Sequence, residues 1–175
     1  MMRIFLCLIT IATLNSCGST FVEYDYDKNV DFSKYQTFAY DYENISGFSD
    51  FDEKRFTKAV DTVLEARGWA FSETAEMLIG AQSTTYETTS RNALGVGIGG
   101  SGGSVGVGVS GGIPMGGREL HRVLTLTMYD ENSKATIWEA ISESDLKVNA
   151  TPEQREEYFY NLISKILKKF PPERN

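Results

Sequence analysis

One histidine, His121, and two cysteines, Cys7 and Cys17, are all that 175 residues offer in soft metal ligands and strong nucleophiles. A structural zinc site takes four Cys or His ligands, so none can be assembled from ordinary partners. A histidine-based triad would have to be built on His121 alone, and we read that residue as a solvated strand position. Basic charge is also short: 17 Lys and Arg face 24 Asp and Glu, for a net charge of −7, and no basic run is present. A phosphate backbone would find no landing patch, so nucleic acid is not an expected partner. No apolar stretch approaches the roughly 20 residues of a membrane-spanning helix. Carboxylates are plentiful but gather at solvated helix ends, as at Glu153, Glu156 and Glu157. They give no acid/base pair, and we expect neither an enzyme nor a cofactor.

What is present begins at the N-terminus. Arg3 supplies a positive start, Ile4 to Leu14 an apolar run broken by Thr10 and Thr13, and Leu14-Asn15-Ser16-Cys17 a small-residue exit. That is the layout of a signal peptide. The exit resembles a bacterial lipoprotein lipobox, with Asn15 its looser position. The resemblance implies removal of residues 1–16 and a diacylglyceryl group on Cys17, with the freed amine open to a further acyl chain. More than one chain is physically needed, because at about 0.8 kcal/mol per buried CH₂ a single chain holds only marginally. The alternative is an ordinary secretory signal with a cysteine near its exit by chance. Lipidation leaves no free thiol, since Cys7 is discarded. Ser19 in place of Asp, by resemblance to the enterobacterial sorting rule, permits delivery to the outer membrane with the domain facing the periplasm, and leaves which membrane open.

Loss of 16 residues leaves 159, enough for one domain with a real core. Its net charge becomes −8, because Arg3 is the single charge removed. Residues 17–20 form the lipidated end and a short tether, and residues 21–172 the domain. Gly18, Ser19 and Thr20 reach only about 10 to 14 Å, which keeps the domain close to the bilayer. Phe21 to Tyr26 alternates, with Val22, Tyr24 and Tyr26 on one face of an expected strand. A turn at Asp27-Lys28-Asn29 follows, then a bend and a second strand over Thr37 to Tyr40.

The run Val30-Asp31-Phe32-Ser33-Lys34-Tyr35-Gln36-Thr37-Phe38 resembles the D-F-S-x-Y-x-T-[FYW] signature of the bacterial envelope lipoprotein family catalogued as domain of unknown function 4136. Arg67-Gly68-Trp69, Ile137-Trp138-Glu139-Ala140 and Phe170-Pro171-Pro172 fit that family in order. The resemblance implies a place and a fold over nearly the whole mature chain. It implies no reaction.

Ser49 or Asp50 caps an expected helix to Arg67, with Asp52 and Glu53 in its positive first turn. Phe56, Ala59, Val60, Val63 and Leu64 make its apolar stripe, and Gly68 its left-handed stop. Asp61-Thr62-Val63 resembles an O-glycosylation tripeptide of Bacteroidetes-type envelopes, but the expected stripe argues against access. Met77 to Glu87 reads as a third strand. Between Gly95 and Gly117 lie 12 of the 16 glycines. There Val105, Val107 and Val109 alternate with glycine, either as a flexible hairpin with a partner-contacting apolar face or as a low-complexity loop. No Gly-Lys-Ser/Thr ending supports a phosphate cradle. Leu120 to Asp130 and Thr136 to Val148 read as an antiparallel pair. Thr151-Pro152-Glu153-Gln154 opens a last helix whose buried face is Phe159, Leu162, Ile163, Ile166, Leu167 and Phe170, ended by Pro171.

Asp25, Asp27, Asn29 and Asp31 have the spacing of calcium ligands, but Val30 stands where a sharp turn wants glycine and Gln36 where a bidentate Glu is required. Asx caps on a turn account for them better. The expected architecture is an α+β two-layer sandwich: a mainly antiparallel sheet of four or five strands, two amphipathic helices on one face, and the glycine-rich hairpin or loop at 95–117. The expected role is a lipid-anchored, non-catalytic module that binds or supports another envelope protein. A periplasm-facing enzyme on glycan or peptide, and a carrier of a small ligand or lipid, are the alternatives. The first would require inward acids in one pocket, the second a hollow between the layers.

Overall fold

The computed structural model of the chain describes residues 20–89 and 118–172. Cys17 and the glycine-rich stretch with Val105, Val107 and Val109 lie outside the described residues. Six strands and two helices follow in order: β1 Phe21–Tyr26, β2 Thr37–Ser46, α1 Asp50–Glu65, β3 Ala70–Phe71, β4 Met77–Thr89, β5 Arg118–Asp130, β6 Thr136–Lys147 and α2 Pro152–Ile166. Short 3-10 turns occupy Phe32–Lys34 and Leu167–Lys169.

The strands form one sheet ordered β1-β6-β5-β4-β2-β3. Its centre, β4-β5-β6, is antiparallel, and β1 adds antiparallel to β6. The expectation of a mainly antiparallel sheet of four or five strands needs correction at the other edge. There β2 runs parallel to both β4 and β3. The reason is the helix between them: a strand that leaves through α1 and returns on the same side must come back in its original direction. The strand β3 is only two residues long, too short to leave a pattern.

Both helices lie on one face, as their apolar stripes require. Phe56, Val60 and Leu64 of α1 and Phe159, Leu162 and Ile163 of α2 share one core with Phe38, Met77, Ile79, Leu124, Leu126, Met128 and Trp138 of the sheet. The helices run side by side in the same direction, because Lys58 pairs with Glu156 at one level and Arg67 bonds the Leu167 carbonyl at another. Trp138, Phe38, Phe56 and Phe159 are wholly buried between the layers, with Tyr40, Phe48, Trp69 and Tyr158 partly buried at the margin.

The helix ends match their chemistry. Ser49 Oγ accepts from the Asp52 amide at 3.3 Å. Thr151 and Gln154 form a reciprocal capping box ahead of α2, with Pro152 at its first turn. Helix α1 stops at Glu65, two residues before the expected end, and Gly68 takes φ +87° in the turn that follows. Gly47, at φ +79°, turns the chain from β2 toward α1 where any side chain would strike the Ser83 carbonyl.

Candidate functional site

The carboxylates with calcium-like spacing are spent locally. Asp27 Oδ1 accepts from the Asn29 amide at 2.8 Å and its side chain at 3.0 Å. Asp31 Oδ1 accepts from the Ser33 amide at 3.1 Å and its hydroxyl at 2.7 Å. Asp25 Oδ1 accepts from the Tyr26 amide at 2.8 Å. Asp27 and Asp31 cap turns while Asp25 bonds the next amide of β1, and among the described residues no three acid, His or Cys side chains come close enough to share a metal ion.

The D-F-S-K-Y run builds a clasp instead. Asp31 caps the 3-10 turn, Phe32 enters the core, and Tyr35, 3% exposed, reaches across the fold. The Tyr35 hydroxyl donates to Asp130 Oδ2 at 2.6 Å, and Lys34 Nζ donates to the same oxygen at 3.0 Å. Ser133 supplies its amide at 2.8 Å and its hydroxyl at 3.0 Å to Oδ1. The Tyr35 bond foremost, with Ser133 and Lys34, holds the Asp130 carboxyl well below the usual carboxylate range. Burial, aided by Asp130, pushes the Tyr35 hydroxyl up. The segments that carry the resemblance therefore meet at one corner. A hollow of about 390 Å³ there is lined by residues of 30–36, by Arg67, Gly68 and Trp69, and by Pro171 and Pro172. Arg67 Nη1 donates to the carbonyls of Leu167 and Phe170, and the Phe170 ring sits 5.2 Å from Trp69, 5.9 Å from Phe32 and 5.4 Å from Trp138.

At the opposite end of the helices lies a buried charge cluster. Arg122 donates to Asp52 Oδ2 and to Ser83 Oγ, both at 2.8 Å, and its guanidinium lies over the rings of Phe159 and Phe48. Arg55 donates to Asp52 Oδ1 at 3.0 Å, and Arg155 approaches Oδ2 at 3.8 Å. Asp52 lies in the first turn of α1, as expected, and is buried there at 6% exposure. The parity of β5 carried the missing signal, since Arg122 shares the inward-facing series of Leu124, Leu126 and Met128.

A second hollow, of about 550 Å³, borders β2 and is lined in part by Asp41, Glu43, Glu73 and Glu131. Asp41 accepts from Asn44 at 2.7 Å and Glu131 pairs with Lys134 at 2.7 Å, while Glu43 and Glu73 are exposed. Glu131 and Asp41 are half-buried in this concavity, and Glu131 Oε2 is withdrawn from water.

The sheet face turned away from the helices remains uncovered among the described residues. Register aligns Phe21, Glu143, Val123 and Thr84 in one row, and Glu23, Ile141, Thr125 and Gln82 in the next. Phe21, Tyr86 and Ile141 are 58%, 54% and 43% exposed. His121 belongs to this face and is half-buried, not solvated: its Nδ1 lies 2.7 Å from Asp145 Oδ1, with the Tyr86 ring 5.0 Å away. Glu139, Glu143 and Asp145 make the β6 side acidic. On the helix side, Thr62 proves exposed, with its hydroxyl donating to the Lys58 carbonyl at 2.7 Å, while Val63 of the same tripeptide is buried in the apolar stripe.

Domain of unknown function (DUF4136) matches the chain over residues 22–172. No curated protein matches it. Among solved structures, it is similar to a PDZ domain protein from Parabacteroides distasonis ATCC 8503, at 15% identity and a TM-score of 0.49 over 96% of this chain and 40% of that one. It is similar to PelC from Paraburkholderia phytofirmans, a dodecamer, at 11% identity and a TM-score of 0.49, over 85% and 95% of the two chains. A minor lipoprotein from Acinetobacter baumannii gives 12% identity and a TM-score of 0.43 over 78% and 92%. The chain thus spans less than half of the first of these proteins. Among the described residues no helix is long and apolar enough to cross a membrane.

Proposed function

The chain belongs to the DUF4136 family, and on that footing we propose that it is a cell-envelope lipoprotein, held by lipid on Cys17 at the outer membrane and facing the periplasm. Its domain acts as a non-catalytic binding module for another envelope protein. The observation that carries this reading is the uncovered sheet face, where Phe21, Tyr86 and Ile141 stand exposed among acidic side chains. Aromatic and aliphatic anchors within a polar surround are the composition of a protein-binding surface. A two-layer fold needs helices on only one side of its sheet, which leaves the other side for a partner.

Photocrosslinking in intact cells tests it. A crosslinking side chain placed at Tyr86 or Ile141 is expected to trap a discrete envelope protein, whereas one at Tyr160, on the helix side, is not. Adducts from Tyr160 alone would overturn the assignment of the face. Cys17→Ser is expected to release the protein from the membrane fraction.

A further inference from the structure

We propose that the C-terminal end of α2, carrying Lys165, Lys168 and Lys169, is the surface that lies against anionic phospholipid headgroups. This rests on the reading that Cys17 carries the lipid. Thr20 is the first described residue, and its hydroxyl oxygen accepts from Lys165 Nζ at 3.2 Å. Cys17 precedes Thr20 by three positions, so the acyl chains enter the bilayer within about 10 Å of that contact. Lys168 and Lys169 stand three and four positions after Lys165, in the 3-10 turn that directly follows α2. Both are exposed, and among the described residues neither has an ion-pair partner. Arg67, bonded to the carbonyls of Leu167 and Phe170, adds a fourth cation to the corner.

The surrounding charge makes the cluster directional. With Arg3 removed, the mature chain carries −8, so an anionic bilayer repels most of its surface. Attraction is confined to the cations within a Debye length of the headgroups, about 8 Å at physiological salt. Lysines near a helix C-terminus also suit the helix dipole. Lys165, in the last turn of α2, meets that need, but Lys168 and Lys169 lie in the 3-10 turn beyond it. The tether and the charge therefore select the same side of the domain. The uncovered sheet face is left free for a partner.

The test uses the full lipidated protein in vesicles of phosphatidylcholine with or without phosphatidylglycerol. Amine labelling of Lys168 and Lys169 is read by peptide mass, and quenching of Trp69 by brominated lipid is read in parallel. Labelling is expected to fall in the anionic vesicles and to recover in 0.5 M salt. Two lysines, at about 1 kcal/mol each, correspond to roughly a thirtyfold bias toward the docked orientation. Lys168→Glu with Lys169→Glu is expected to float with the vesicles as before while losing the quenching of Trp69. Equal labelling and quenching in neutral and anionic vesicles, with the protein afloat, would overturn the orientation alone. Failure of the unsubstituted protein to float, or flotation of Cys17→Ser, would overturn the anchor and the orientation with it.

Discussion

Arg122 of β5 donates to Asp52 in the first turn of α1 at 2.8 Å, and both side chains are almost wholly withdrawn from water. Sheet and helix are thus joined by a charge pair where two apolar groups would also pack. Taking both ions out of water is costly, and their attraction repays it only while the partners remain together.

Removing one member should therefore cost more than removing both. Arg122→Ala is expected to lose about 3–5 kcal/mol of stability by leaving Asp52 buried beside fewer donors. Arg122→Met combined with Asp52→Leu is expected to lose less than either single change. Urea unfolding of the four proteins of that cycle decides it; additive losses would show that the pair is not coupled.

The Tyr35–Asp130 clasp predicts an acid-sensitive fold. Asp130 has a carboxyl value lowered from 3.8 in the folded state, so its contribution is complete well above that pH. It drains away as pH falls below about 4 toward the folded value. Thermal melts between pH 2 and pH 7 should show Asp130→Asn with a flatter acid limb than the unsubstituted protein. Tyr35→Phe should cost about 1.5–3 kcal/mol at neutral pH, the range for a bond to a charged acceptor.

Two glycines with positive φ separate backbone strain from collision. At Gly68 nothing lies within 4 Å of an added Cβ, so Gly68→Ala should cost only the left-handed penalty of about 1–2 kcal/mol. At Gly47 the same strain is joined by a clash with the Ser83 carbonyl. Gly47→Ala should be markedly the worse of the two by chemical denaturation, and equal losses would mean that the β2–α1 turn shifts to make room.

Thr151→Ala removes the cap of α2, whose hydroxyl accepts from the Gln154 amide at 3.3 Å while Gln154 Oε1 accepts from the Thr151 amide at 3.0 Å. A loss of about 1 kcal/mol is expected. In a domain of this size that lowers Tm by about 2–4 °C. Thr151→Ser should restore most of it.

Local pattern was a reliable guide wherever burial obeyed a simple period. The stripe Phe56, Ala59, Val60, Val63 and Leu64 is the buried face of α1, and the capping box before α2 stands where Thr151 and Gln154 indicated. Period two placed β5 and β6 to within a few residues. Strict alternation would set Ile137 opposite Trp138, but the ladder slips between Met128 and Tyr129 and both are buried, Ile137 being only 2% exposed. The parallel pairing of β2 was implied by a strand, a helix and a strand in succession, but two-residue β3 and a bulge after Tyr40 blurred its edges.

By itself the sequence determined the two helices, the longer strands in outline, the two apolar stripes and the helix caps, because each follows from neighbours within a turn or a strand. Tertiary structure alone decided the partners of Asp130 and Asp52. Their stabilising donors lie 95 and 70 residues away, and no local period records which side chains a closed sheet and its helices will bring within 3 Å. It also decided that the segments around Tyr35, Arg67 and Phe170 build one corner. That meeting is a property of how strands order in a sheet, which depends on packing summed over the whole chain.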